Sequence, residues 1–167
     1  MPPRGNWTRS DRLALLSIME ATGFRVSECR SLTPDSFNLR GGEPTVTVAA
    51  AYTKNRAKAT QPIRLSLVGI LGDWLEKKPP GQPVFPMGRN FSMAAMMRSL
   101  CRRAGVPYRD AEGFLDGHAL RHSYATAIGG RTDIKTAQSL MRHSTVAMTA
   151  RYMHTDDEKR RRAVEGK

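Results

Sequence analysis

Apolar residues at Leu13, Leu16, Ile18 and Met19 recur at near-helical spacing behind two cap-forming residues, Thr8 and Ser10, and stop at Ala21-Thr22-Gly23. The pattern predicts an amphipathic helix ending near Gly23. A second, short helix is expected over Val26–Leu32, stopped by Thr33-Pro34 because proline drives the preceding residue out of the helical region. Arg25 then stands at the mouth of that helix. From Thr45 to Tyr52 the β-branched Thr-Val-Thr-Val run changes the period to that of a strand, and Gln61–Leu65 resumes it. Lys54-Asn55-Arg56-Ala57-Lys58 is the connection of the resulting hairpin.

Further along, Leu67–Lys77 reads as a helix closed by Pro79-Pro80-Gly81, and Val84-Phe85 as a short extended piece. Asn90 is the expected cap of the next helix, which runs to Ala104-Gly105. It carries Met93, Met96, Met97 and Leu100 on one side and Arg98, Arg102 and Arg103 on the other. His118–Ile128 is helical up to Gly129-Gly130, and Thr132 caps a last helix through Leu140-Met141. Residues 156–167 form a charged tail or short helix that includes Lys159-Arg160-Arg161-Arg162. The pattern describes a mainly α domain with a small antiparallel β-sheet, an α+β class.

Charge narrows the choice of partners. The 167 residues include 27 Lys and Arg against 15 Asp and Glu, a net charge of +12 and a pI near 10.5. That excess points to a polyanion, with nucleic acid ahead of an anionic membrane surface. A hydrophobic content of 40 % excludes wholesale disorder, and the length suits one domain. No apolar stretch reaches the roughly 18 residues of a membrane span, and Met1–Asn6 lacks a signal-peptide core. A soluble, cytoplasmic chain is expected. Cys29 and Cys101 are too few and too far apart for a disulfide scaffold or zinc ribbon, and read as buried thiols.

Gly-x-Ser-x-Gly, Gly-x-x-x-x-Gly-Lys and Gly-x-Gly-x-x-Gly are all missing, which weakens hydrolase and nucleotide-fold readings. The four histidines, His118, His122, His143 and His154, crowd into the last third. His118 and His122 have the i, i+4 spacing of zinc ligands, but the stretch between them holds no Glu, no Cys is near, and Arg121 repels a cation. No metal site is assigned. Singly, each histidine reads as a core or solvated residue, each arginine as a surface ion pair, and Tyr152 as a half-buried aromatic.

Taken in order they say more. His118-Ala-Leu-Arg121-His-Ser-Tyr-Ala-Thr126 is followed by Leu140-Met-Arg-His143-Ser-Thr145, and Tyr152 comes nine residues after His143. Upstream lie Ala21-Thr-Gly-Phe-Arg25-Val-Ser-Glu28, then Tyr52-Thr-Lys54-Asn55 leading to Pro62-Ile-Arg-Leu65. This series resembles the catalytic domain of the tyrosine recombinases, the phage-integrase family, with four motifs in the family's order over nearly the whole chain. The resemblance implies that fold, a catalytic domain over residues 1–155, and a tail at 156–167 that packs on a neighbouring protomer. It also implies that the helical DNA-clamping domain preceding this region in family members is absent from this chain.

Its implied catalytic set is Arg25, Lys54, His118, Arg121, His143 and Tyr152. Each residue type suits phosphodiester chemistry. Arginines offer fixed paired donors to phosphate, a phenol supplies the nucleophile, and histidine and lysine move protons. The family's roles make Tyr152 the nucleophile of a 3′-phosphotyrosyl link, His118 its proton acceptor, Lys54 the acid for the departing 5′ oxygen, and His143 a donor to phosphate. No cofactor, metal or ATP is implied. The implied partners are double-stranded DNA, with Arg56, Lys58, Arg98, Arg102, Arg103 and Arg142 as contacts, and further protomers in a tetramer on DNA. A monomer is expected without DNA, and no membrane partner.

Two departures stand out: Ala119 replaces a common acidic residue, and Arg142 stands where a glycine usually precedes the second histidine. A type IB topoisomerase is the alternative enzyme, disfavoured because those enzymes usually carry lysine at the position of His118. A catalytically silent DNA-binding remnant is the non-enzymatic alternative, and the full six-residue set argues against it.

Overall fold

The computed structural model describes residues 7–53, 56–111, 113–153, 161 and 164–165. The chain divides into two compact units, Met1–His122 and Ser123–Lys167.

In the first unit, α1 spans Arg9–Thr22. Thr8 caps it, accepting from the Asp11 amide at 3.1 Å, while Asp11 Oδ2 accepts from the Thr8 amide at 2.9 Å. Gly23 ends it in the left-handed conformation (φ 63°), which glycine adopts without a Cβ penalty. The second helix, α2, covers only Val26–Cys29. It stops short of the expected Leu32 because Ser31 and Leu32 turn back, their amides bonding the Glu28 and Cys29 carbonyls.

A three-stranded antiparallel sheet follows, β1 (Phe37–Asn38), β2 (Thr45–Val48) and β3 (Ala59–Pro62), in the order β1-β2-β3. Val46 pairs with Gln61 and Val48 with Ala59, all four buried, whereas the Thr47 and Thr60 hydroxyls meet at 3.0 Å on the other face. The strand predicted to reach Tyr52 stops at Val48, since the amide of Tyr52 bonds the Ala49 carbonyl in a 3₁₀ turn over Ala50–Tyr52. Strand β3 ends at Pro62, and Arg64 turns the chain into α3, its carbonyl accepting from the Leu67 amide at 2.9 Å, so that the helix covers Leu65–Leu75, two residues earlier at both ends than expected.

Val84-Phe85 is buried but forms no strand. The Val84 amide bonds Leu32 O at 2.8 Å, and the Phe85 carbonyl accepts from the Met87 amide at 2.8 Å in a turn. Ser92, not Asn90, caps α4 (Met93–Ala104), accepting from the Ala95 amide at 3.2 Å, while residues 89–90 form a turn. A two-stranded hairpin, β4 (Arg109–Asp110) and β5 (Gly113–Phe114), precedes α5 (Gly117–Gly129).

The core of this unit gathers Leu15, Ile18 and Met19 of α1, Phe24, Leu32, the β2 valines, Leu71 and Trp74 of α3, and Phe85. One carboxylate is built into it. Asp11, 3 % exposed, accepts from Trp74 Nε1 at 2.9 Å and Lys78 Nζ at 2.5 Å, tying α1 to the far end of α3. Burial works to raise its pKa, but the Lys78 ammonium, the Trp74 indole and the Thr8 donors together hold it below the usual carboxylate value. Cys29 and Cys101 are buried and form no disulfide, as expected.

In the second unit, the end of α5 is followed by α6 (Ile134–Met141) and α7 (Val146–Ala150). The α6 cap is Asp133 and not Thr132, because its carboxylate takes the Lys135 and Thr136 amides at 2.9 and 3.0 Å. The Thr136 hydroxyl, then those amides, bring the Asp133 pKa down to about 2. Ala125, Ala137 and Met141 form a small buried core, with Ile128, Tyr152 and Met153 packed against it. Mainly helical with small antiparallel sheets, the fold has the expected α+β class.

Candidate active site

The first cluster is assembled by the turn after α1. Thr22 is buried, donates its hydroxyl to Ile18 O at 2.6 Å and accepts from the Phe24 amide at 3.2 Å. With Gly23 left-handed and Phe24 fully buried, the chain leaves the core at Arg25, whose side chain is 43 % exposed. Glu28, three residues on and buried, accepts from the Arg25 amide at 2.7 Å and lies 3.4 Å from its guanidinium. That carboxylate fixes both the backbone and the charged end of Arg25.

Arg121 comes to the same turn from α5: its Nη1 donates to the Gly23 carbonyl. Two guanidinium-bearing residues, remote in sequence, are thus brought to one stretch of main chain. His118, exposed, stands three residues before Arg121, one turn earlier on α5. Asp116 anchors that first turn by accepting from the His118 and Ala119 amides at 2.8 and 3.1 Å. Gly117 lies close under it, since a Cβ there would meet Met19 Cε and Val26 Cγ2, both at 3.2 Å, and Met93 Cγ at 3.4 Å.

The second cluster lies at the end of α6. Arg142 ends that helix with φ 55°, the left-handed conformation that costs an L-residue about 1–2 kcal/mol. The His143 amide then bonds the Gln138 carbonyl at 3.1 Å, and the Gln138 side chain returns a bond to His143 O at 3.2 Å. His143 Nδ1 lies 3.1 Å from the hydroxyl of Thr149, a fully buried residue of α7. Tyr152 follows through its amide bond to the Thr149 carbonyl, 2.9 Å, and its ring lies 5.9 Å from the His143 ring between centroids. Another tyrosine, Tyr124, is buried in α5.

Arg142 stands at a position whose backbone suits glycine, and this yields a test. Arg142→Gly and Arg142→Ala remove the same side chain, but only glycine relieves the backbone. The glycine variant is expected to be the more stable of the two by about 1 kcal/mol in chemical denaturation. Equal stabilities would mean that the left-handed cap is not held in solution.

Lys54 lies outside the described residues. Beside it in sequence, the Thr53 hydroxyl is 3.1 Å from Ala50 O and 2.8 Å from Ala57 O, and it accepts from the Ala57 amide at 3.1 Å. Arg56 and Lys58 are exposed, as are Arg98, Arg102 and Arg103 of α4, whereas Arg142 is half-buried. Arg98 lies over the Tyr108 ring at 5.5 Å and is not merely solvated. Among the described residues no three of His, Cys, Asp or Glu gather as metal ligands, and no helix is long and apolar enough to cross a membrane.

Sequence reasoning did not single out Glu28, Asp116 or Thr149 as supports. The spacing of Glu28 from Arg25 is that of a helix-start carboxylate, and Asp116 precedes its helix in the same way. Thr149 left no such local signal.

A mainly helical fold that brings two arginines to one turn, sets a histidine a turn before the second of them, and pairs another histidine with a tyrosine defines the integrase-type catalytic domain. The chain belongs to the phage integrase family, whose pattern matches residues 7–159.

Tyrosine recombinase XerC of Actinobacillus pleuropneumoniae serotype 7 is 28 % identical over 149 residues, 86 % of this chain and 47 % of the relative. XerC of Bifidobacterium longum subsp. infantis is 29 % identical over 170 residues, 87 % of this chain and 43 % of the relative. The chain therefore spans about half the length of the curated relatives it matches. Among solved structures, the catalytic domain of bacteriophage HP1 integrase superposes with a TM-score of 0.65 at 26 % identity, covering 95 % of this chain and 83 % of that one. XerH bound to its difH substrate in a pre-cleavage complex shares the fold, with a TM-score of 0.68 at 22 % identity over 96 % of this chain and 48 % of that one.

Proposed function

We propose that this chain is the catalytic domain of a site-specific DNA recombinase that cuts and rejoins strands through a 3′-phosphotyrosyl intermediate. The observation that carries the reading is the bond from Arg121 to the Gly23 carbonyl, which collects two permanent cations at the turn that presents Arg25. Paired guanidinium groups suit the non-bridging oxygens of a phosphodiester, where charge builds in the transition state.

In the proposed step the Tyr152 oxygen attacks phosphorus, the bond to the 5′ oxygen breaks, and the tyrosyl ester keeps the energy needed for rejoining. His118 takes the phenolic proton, Lys54 protonates the departing 5′ oxygen, and His143 donates to a phosphate oxygen. The Thr149 hydroxyl, 3.1 Å from Nδ1, supports the last role by fixing the orientation of the imidazole ring. The test is covalent trapping in EDTA on nicked duplexes taken from the DNA flanking the gene, read on denaturing gels. An adduct is expected. Tight binding without one, in a chain carrying the upstream coding sequence, would favour the silent DNA-binding reading instead.

Double-stranded DNA is the proposed partner, as in the XerH complex with difH. The catalytic domain is assigned to residues 1–155 and the tail to 156–167, with assembly as a tetramer on DNA from free monomers. Sedimentation of free and duplex-bound protein tests that assembly. The proposed action on DNA fits a cytoplasmic location, with nucleoid association proposed for a bacterial source.

The proposed phosphate-binding residues are Arg56, Lys58, Arg98, Arg102, Arg103 and Arg142. Replacing Arg98 and Arg102 by Gln is expected to lower the slope of log affinity against log salt by about 2, near 0.9 for each phosphate no longer neutralised. An unchanged slope would remove this face of α4 from the interface.

A further inference from the structure

The last residue of α5 is Gly129, which is buried. Its backbone is not in the left-handed region, so the position does not need glycine for its own conformation. Glycine at a helix position costs up to about 1 kcal/mol relative to alanine, so local propensity argues against it too. Space is what remains. A Cβ at 129 would lie 2.1 Å from the carbonyl oxygen of Tyr152, 2.7 Å from its carbonyl carbon and 3.2 Å from its Cβ. Real Cβ atoms essentially never come within 3.0 Å of another group, and here the obstruction is main chain, not the movable end of a side chain.

We propose that Gly129 is a positioning residue for Tyr152, seating the tyrosine's main chain directly against the last turn of α5. The inference rests on the proposed function in that it takes Tyr152 as the nucleophile. Three restraints then define where the phenol is presented. Gly129 sets the depth of the main chain, the bond from the Tyr152 amide to Thr149 O sets its turn, and the His143 ring lies against the aromatic side. With a methyl group at 129, the Tyr152 carbonyl has to retreat by nearly an ångström. Misplacement on that scale costs a reaction that depends on in-line attack about a hundredfold.

The neighbouring glycine provides the control. Among the described residues, a Cβ at Gly130 meets Thr126 O at 3.5 Å and Ala127 O at 3.8 Å, which is ordinary van der Waals spacing. Gly129→Ala, Gly130→Ala and the parent are compared on the nicked flanking-DNA duplexes in EDTA, for affinity and for the rate of adduct formation. Hydrogen exchange is followed in the same proteins over peptides covering residues 146–153.

Gly129→Ala is expected to bind the duplex as the parent does, form adduct about a hundredfold more slowly, and exchange over 146–153 at least about tenfold faster. Gly130→Ala is expected to match the parent throughout. A Gly129→Ala chain with the parental rate of adduct formation, or with parental exchange over 146–153, overturns the inference. Should that variant fail to fold, the parent decides: a protected 146–153 peptide supports the seat, and exchange at the unstructured rate beside a protected α4 overturns it. If the parent, with the upstream coding sequence restored, binds the duplex tightly and still forms no adduct, the proposed function fails while the exchange comparison still decides whether Gly129 seats Tyr152.

Discussion

A Tyr152→Phe chain is expected to bind duplex DNA as the parent does and to form no covalent adduct, a loss of more than about 10⁴-fold. The substitution removes one oxygen and keeps the ring, so the stacking on His143 and the packing against Ala125, Ala137 and Met141 remain. Loss of ring packing therefore does not account for the result. A free phenol has a pKa near 10, so its attack at neutral pH depends on removal of its proton and on cations that favour the anion. An adduct surviving in Tyr152→Phe would overturn the assignment, and peptide mass mapping would then name the nucleophile. Tyr52, more than half exposed beside the hairpin, would be the first alternative, since Tyr124 is buried.

The largest effect on stability is expected at Asp11. Asp11→Ala removes the cap partner of Thr8 and leaves both the Lys78 ammonium and the Trp74 indole without their acceptor. Breaking a buried ion pair by deleting one member costs about 3–5 kcal/mol, and the lower end applies because Lys78 keeps some access to water. The sign with pH follows from the lowered pKa. Because the folded state holds this carboxylate below its unfolded value of 3.8, its stabilisation is complete above that value and disappears as pH falls through the lowered one. Asp11→Ala should therefore flatten the acid limb of the stability curve in chemical denaturation from neutral pH downward. A loss under about 1 kcal/mol would mean that water replaces the carboxylate as partner.

The parts of the fold legible in the sequence are those specified by nearby residues. Thr8 with Asp11 starts α1 and Gly23 ends it, all within one stretch of chain, and the alternation around Val46 and Val48 marks a buried strand face. Competition between adjacent candidates went against first expectation. Asp133 displaced Thr132 as a cap because its carboxylate reaches two amides at once, and Ser92 displaced Asn90. Strands of two residues, such as β4 and β5, and the five-residue α7 are too short for any period to register.

For the site, residue types and order were readable while spatial neighbours were not. No local rule joins Arg121 to Gly23, ninety-eight positions apart, because that bond exists only once α5 lies beside the turn after α1. Glu28 is the intermediate case, near enough to Arg25 to be read as a cap, but visible as a restraint on the guanidinium only in three dimensions.

The small core of the second unit has one more implication. Tyr152 is a wall of that core as well as the proposed nucleophile, packed on a small cluster that among the described residues comprises Ala125, Ala137 and Met141. Swinging the phenol outward would uncover Met141 and its neighbours, so an unprompted excursion toward a stray phosphate carries a solvation penalty. The packing that folds this unit thereby acts as a catch on the proposed nucleophile, which is partly buried at rest.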